Sequence, residues 1–238
     1  MPWSRSSTII LLLALLFGSA RSTAAQQPDS TAIIRNIDAS IHARFEHVQR
    51  FTDTEHYAVY RNSEQSAPIA QMTVRALYQK NSGKTYTILE QSGPAILRRL
   101  VLGALLDEEQ RINEPANREA SWFTSANYDM AVEPGGPRLI DGRLCYAISM
   151  NPRQKAPNLL RGTMWVDTKD FSTVRIEGVS TKIPSIFTVP TQMMRQYALV
   201  DGYAQATHAR AVSSSLFFGR AIILIDYSNY LVELSPSP

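Results

Sequence analysis

Cysteine is nearly absent from this chain: Cys145 is the one thiol in 238 residues. No intramolecular disulfide is available, and a thiol set between Leu144 and Tyr146 in an alternating run reads as a small buried hydrophobe. An excess of one charge is missing too, with 24 Lys plus Arg against 21 Asp plus Glu. A nucleic-acid surface needs clustered basic side chains to neutralise phosphates, and this near-balance argues against that class. The motifs of covalent and cofactor chemistry are also lacking: there is no G-x-S-x-G, no H-E-x-x-H, no P-loop and no dinucleotide glycine pattern.

What titratable groups remain are scattered. His42 and His47 lie five apart, whereas two ligands on one helix face would lie four apart. His56 beside Asp53 and Glu55, and His208 near Arg210, are neighbours of the kind that four dispersed histidines produce by chance. Ser213-Ser214-Ser215 reads as polar strand surface. Asp226, set among apolar strand residues, must be either paired or exposed. These features assign no catalytic residue, no metal ligand and no cofactor.

Long apolar runs are restricted to two places. Arg5 followed by the nine residues Ile9 to Phe17 and the small residues Ser22-Thr23-Ala24-Ala25 has the form of a secretory signal peptide, residues 1–25. A membrane span would need about 20 apolar residues. Its removal leaves 22 basic against 21 acidic residues and no cysteine near the new N-terminus for lipid attachment. The expected product is a free protein outside the cytoplasm, which in a bacterium is the periplasm. Residues 26–238 fit one β-rich domain, with no linker or repeat to divide them.

The second run opens after Gly93-Pro94. Ile96, Leu97, Leu100, Val101, Leu102, Leu105 and Leu106 cover most of a helical wheel, so this helix should be buried on more than one side. It either fills a core or covers a cavity whose apolar surface it shares with a ligand. Asp107-Glu108-Glu109 makes its exit polar.

Elsewhere the periodicity predicts one amphipathic helix and many strands. Ile33, Ile34, Ile37, Ile41, Phe45 and Val48 mark a helix over residues 30–51, capped by Asp29 or Ser30. Strands follow at Tyr57–Arg61, Ile69–Gln79 and Thr85–Gln91, then, beyond Pro115 and an ambiguous segment at 117–126, at 127–133, 144–151, 192–200, 203–218 and 221–230. Asp141-Gly142 and Asp201-Gly202 are the residues that tight hairpin turns require. A Pro- and Thr-rich loop is expected over 180–190.

The clearest hairpin is RGTMWVDTKDFSTVRIEG, residues 161–178. Period two on both sides of Asp167–Asp170 places Met164, Val166, Val174 and Ile176 on one face, and Trp165, Arg175 and Glu177 on the other. A Trp beside charges on a strand marks either a rim or a ligand wall. Short connections throughout imply antiparallel neighbours. About ten strands should curl into a curved sheet or half-open barrel covered by two helices, an α+β fold that is mostly antiparallel β.

This order of elements, with GTMWVD, VRIEG, RQYALVDGY and IDYSNY, resembles the LolA-like periplasmic carriers of outer-membrane lipoproteins. The resemblance implies a cavity for acyl chains under a helical lid, no covalent chemistry, and a monomer that binds a lipid or lipidated protein. Inner- and outer-membrane acceptor proteins would be its partners. The candidate cavity or lid residues are Leu97, Leu100, Val101 and Leu105 on the helix, with Met164, Trp165, Val174 and Ile176 on the hairpin. An envelope protein-interaction module of the same fold, without lipid cargo, is the alternative.

Overall fold

The structure is a computed structural model, and it describes residues 29–155, 158–182, 190–215 and 219–236. The expected signal peptide and most of the expected 180–190 loop lie outside the described residues.

Helix α1 (Ser30–His47) begins where the Asp29 side chain accepts a bond from the Thr31 N–H at 3.1 Å. That satisfies one of the donors every helix start leaves free. The helix passes into strand β1 (Val48–Arg61) with no intervening loop. The expected helix therefore ends a turn early and the expected short strand is long. Phe51, Asp53, Glu55 and Tyr57 alternate inward along β1, and two charges on the inner face conceal the strand period.

Ten further strands follow: β2 (Ala70–Gln79), β3 (Gly83–Ser92), β4 (Tyr128–Val132), β5 (Arg138–Ile140), β6 (Arg143–Pro152), β7 (Leu160–Asp167), β8 (Thr173–Ser180), β9 (Gln192–Val200), β10 (Tyr203–Ser215) and β11 (Gly219–Leu234). They form one antiparallel sheet in the order β3-β2-β1-β11-β10-β9-β8-β7-β6-β4, with β5 also on β6. First and last strands are neighbours, β1 on β11, within an open sheet that has β3 at one end and β4 and β5 at the other. The turns expected at Asp141-Gly142 and Asp201-Gly202 all have positive φ, from 47° to 83°. That pattern matches the twist of the flanking strands.

Between β3 and β4 the chain forms a second helix, residues 95–113: α-helical Ala95–Leu97, π-helical Arg98–Gly103 and α-helical Ala104–Asn113. It runs past the acidic run expected to end it. It is not buried all round: Leu97, Val101, Leu102 and Leu106 are buried, while Ile96 and Leu100 are 57% and 46% exposed. A 3-10 turn at Arg118–Ser121 occupies part of the ambiguous segment.

The two helices cover different halves of one face. The second helix packs Leu97, Val101, Leu102 and Leu106 on Tyr57, Met72, Val74 and Ile223. Helix α1 packs Ile33 and Ile37 on Tyr128, Ile148, Met164 and Ile176. Each buried aliphatic chain contributes roughly 1.5–3 kcal/mol. Register places Met72, Tyr57, Ile225, Ala209, Arg195, Ile176, Met164, Ile148 and Val132 in one row across this face. Eight members are uncharged, and the ninth is Arg195.

The opposite face corrects one expectation. In the β7–β8 hairpin a bulge sets Val166 opposite Thr173, which leaves Val174 unopposed and turns it away from Met164 and Ile176. Val174 packs instead with Trp165, Cys145 and Ala147. The Trp165 indole donates to Glu177 at 2.7 Å and lies under the Arg138 guanidinium. Cys145 is fully buried there, and burial pushes its thiol up to about 11.

Candidate ligand-binding site

Because the helices cover the two halves separately, space remains between and beneath them. One cavity of about 400 Å³ lies under the second helix, lined by its Val101, Leu105 and Ile112 and by Ala209, Ile223 and Ile225 of the sheet. Spacings of four and seven put Val101, Leu105 and Ile112 on one stripe of the helix. A second cavity of about 640 Å³ lies against α1, with Arg44, Phe45, Trp122, Tyr203, Gln205 and Tyr230 in its wall. Glu109, Ile112, Phe123, Ile176, Arg195 and Tyr197 line both. The cavities therefore adjoin, and both volumes are typical of small-molecule sites.

The shared wall is charged. Glu109 of the second helix accepts from Arg195 Nη2 of β9 at 3.0 Å and lies 3.6 Å from Lys84 Nζ of β3. Lys84 is itself 2.5 Å from Glu55, and Glu55 accepts from the Tyr57 hydroxyl. Burial alone would raise the Glu109 carboxyl, but Lys84 and Arg195 outweigh it and hold the pKa below its usual value. Burial likewise opposes the Lys84 ammonium, and Glu55, Tyr86 and Glu109 reverse the balance, so its pKa lies well above the ordinary one. Both groups stay ionised at neutral pH.

Asp53 behaves differently. Its carboxylate is 2% exposed and neither oxygen has a hydrogen-bond partner among the described residues. Burial raises its pKa to about 7, offset in part by Lys84 and reinforced by Glu55. Protonation turns it into a donor toward Glu55.

The remaining wall of the larger cavity carries several hydrogen-bond donors. Arg44, reaching inward from α1, donates to the Ala204 carbonyl at 2.9 Å and to Gln205 Oε1 at 2.8 Å. Gln205 is 1% exposed, and among the described residues its Nε2, Trp122 Nε1 and Arg118 Nε have no hydrogen-bond partner. The Trp122 ring stacks on Phe45 at 4.2 Å.

The residues singled out from sequence fall into four groups. Val101, Leu105 and Ile176 line the apolar cavity, Ile176 facing both. Leu97 and Met164 are buried in the packing between helices and sheet, and Leu100 faces solvent. Trp165 and Val174 lie on the other side of the sheet. Sequence reasoning missed Arg44, Lys84, Glu109, Arg195 and Gln205. For Arg195 a signal existed: in MMRQYALV it alternates with Met193 and Tyr197, which places it inward.

Other polar residues are accounted for locally. Asp226 is exposed and also paired, with His208 Nδ1 at 2.6 Å. Arg143 braces the β7–β8 turn through Asp167 at 2.8 Å and Asp170 at 2.9 Å. Among the described residues no group of three His, Cys, Asp or Glu side chains is placed to hold a metal ion, and no helix is long and apolar enough to cross a membrane.

No family model and no curated protein matches the sequence. Among solved structures the chain is similar to a LolA superfamily protein from Nitrosomonas europaea, at 13% identity and a TM-score of 0.48, over 88% of this chain and 94% of that one. It is also similar to a putative outer membrane lipoprotein-sorting protein domain from Vibrio parahaemolyticus, at 12% identity and a TM-score of 0.47, over 86% and 92% of the two chains. A third likeness is to the Pseudomonas aeruginosa MucA/MucB complex, at 11% identity and a TM-score of 0.30, over 86% and 94%.

Proposed function

We propose that the protein is a non-enzymatic binder of acyl chains, carrying a lipid or the lipid moiety of a lipidated protein in the paired cavities beneath its two helices. The observation that carries this reading is the apolar cavity of about 400 Å³ walled by Val101, Leu105 and Ile112 on a helix and by Ala209, Ile223 and Ile225 on the sheet. Each methylene moved into such a space gains about 0.8 kcal/mol. A chain of ordinary length would then bind too tightly to be released unless some of that energy is spent on a conformational change. The second helix supplies one, since the face that touches the cargo also closes the cavity.

Action in the periplasm, after loss of residues 1–25, belongs to the same proposal. It entails a single 26–238 domain acting as a monomer, and transient hand-over partners in the inner and outer membranes. Native mass spectrometry of protein purified without detergent from a bacterial envelope is the test. Co-purifying lipid or lipopeptide adducts are expected; a protein that stays bare, and still takes up no palmitoyl chain when incubated with one, overturns the reading.

A further inference from the structure

We infer that the ligand is an amphiphile with an anionic headgroup, carboxylate or phosphate, and that Glu109 is the intramolecular stand-in for that headgroup. The inference rests on the acyl-binding reading and adds the chemistry of the polar end.

Three observations point to it. Arg195 interrupts an otherwise uncharged row across the concave face, so a cation is held at the junction of the two cavities. The partner that neutralises it does not come from the sheet. It comes from the helix, as the Glu109 carboxylate, which also takes up Lys84 from the opposite side. Finally, the wall of the larger cavity carries four cationic side chains, Arg44, Lys84, Arg118 and Arg195, against two carboxylates, Glu109 and Asp170. Gln205 Nε2, deeply buried in that wall beside Arg44, has a donor to spare.

An acyl tail in the apolar cavity places its head at the shared wall, where Arg195 and Tyr197 stand. An anionic head there competes with Glu109 for Arg195, with the Arg44–Gln205 pair beyond it as further donors. Once displaced, Glu109 no longer ties the second helix to β9. Head binding and release of the second helix from β9 are thus one exchange of carboxylate for anion. A neutral head cannot make that exchange and leaves the tie intact.

The experiment compares palmitate, lysophosphatidic acid with a palmitoyl chain, and uncharged monopalmitoylglycerol, using the whole chain without its first 25 residues and titration calorimetry at one salt concentration. Both anions are expected to bind about tenfold or more tightly than the neutral ester, the size of one charge-assisted bond. Arg195→Gln is expected to abolish that preference, so that the variant binds all three ligands within about twofold of one another, and Arg44→Gln to reduce it. Circular dichroism first establishes that each variant folds, and the wild-type comparison stands if neither does. Equal affinity for all three ligands overturns the headgroup inference and leaves the acyl-binding reading in place. Displacement of palmitate by millimolar inorganic phosphate would overturn it in favour of a free-anion site, and binding of none of the three would remove the acyl-binding reading itself.

Discussion

Glu109 of the second helix and Arg195 of β9 meet at 3.0 Å across the concave face, the helix's charged tie to the middle of the sheet. The contact lies between two cavities and is partly open to both, so neither charge is fully desolvated. Replacing Glu109 by Gln removes one partner and leaves Arg195 with its own desolvation cost uncompensated. A loss of about 2 kcal/mol in urea unfolding is expected, less than for a fully buried pair. Amide exchange across residues 95–113 should accelerate more than in α1. Uniform acceleration throughout the chain would show that the tie is not local to the helix.

Asp53 makes stability depend on pH in a direction unusual for a carboxylate. Its folded pKa, about 7, lies above the unfolded value of about 3.9. The folded state therefore holds a proton that the unfolded state has lost. Its contribution is complete below about pH 4 and declines as pH rises through 7. Asp53→Asn should match the wild type near pH 4 and exceed it at pH 8, by at most about 4 kcal/mol. Thermal unfolding of both proteins from pH 4 to 8 measures this, and parallel curves would contradict it.

Two tryptophans within the described residues should report different things. Trp122 lines the larger cavity and stacks on Phe45. Trp165 lies on the other face, bonded to Glu177. Trp122→Phe should lose the fluorescence change caused by an acyl ligand, and Trp165→Phe should keep it. Trp165→Ala should cost about 3 kcal/mol in stability, as large aromatic truncations do, and leave ligand affinity unchanged. A weakened affinity in folded Trp165→Ala would place the ligand on the wrong face.

How much of this was legible follows from the range of each signal. Asp141-Gly142, Asp201-Gly202 and the alternation through 161–178 are local, and they gave the hairpins correctly. The β7–β8 bulge is not local: it needs the pairing of Val166 with Thr173, and it moved Val174 to the face of Trp165. The periodicity carries the helix on to Phe51 and leaves only Tyr57–Arg61 as strand because Asp53 and Glu55 occupy inward positions. Their inward placement makes sense only once β3 brings Lys84 to Glu55. The acidic run after Leu106 reads as an exit for the same reason, since Arg195, the partner of Glu109, lies 86 residues away. The apolar character of the second helix is legible in sequence; the exposure of Ile96 and Leu100 and the charges that fasten the helix are not.

The central claim is that an acyl chain occupies the space under the second helix. Ala209 lies in the floor of that cavity, next to Arg195 in the cross-sheet row. Ala209→Phe fills it without adding charge. The most direct test is the palmitate dissociation constant of this variant beside the wild type, with folding confirmed by thermal unfolding. Occupancy predicts affinity weakened at least about tenfold in a protein that remains folded, and an unchanged constant in folded Ala209→Phe would contradict it.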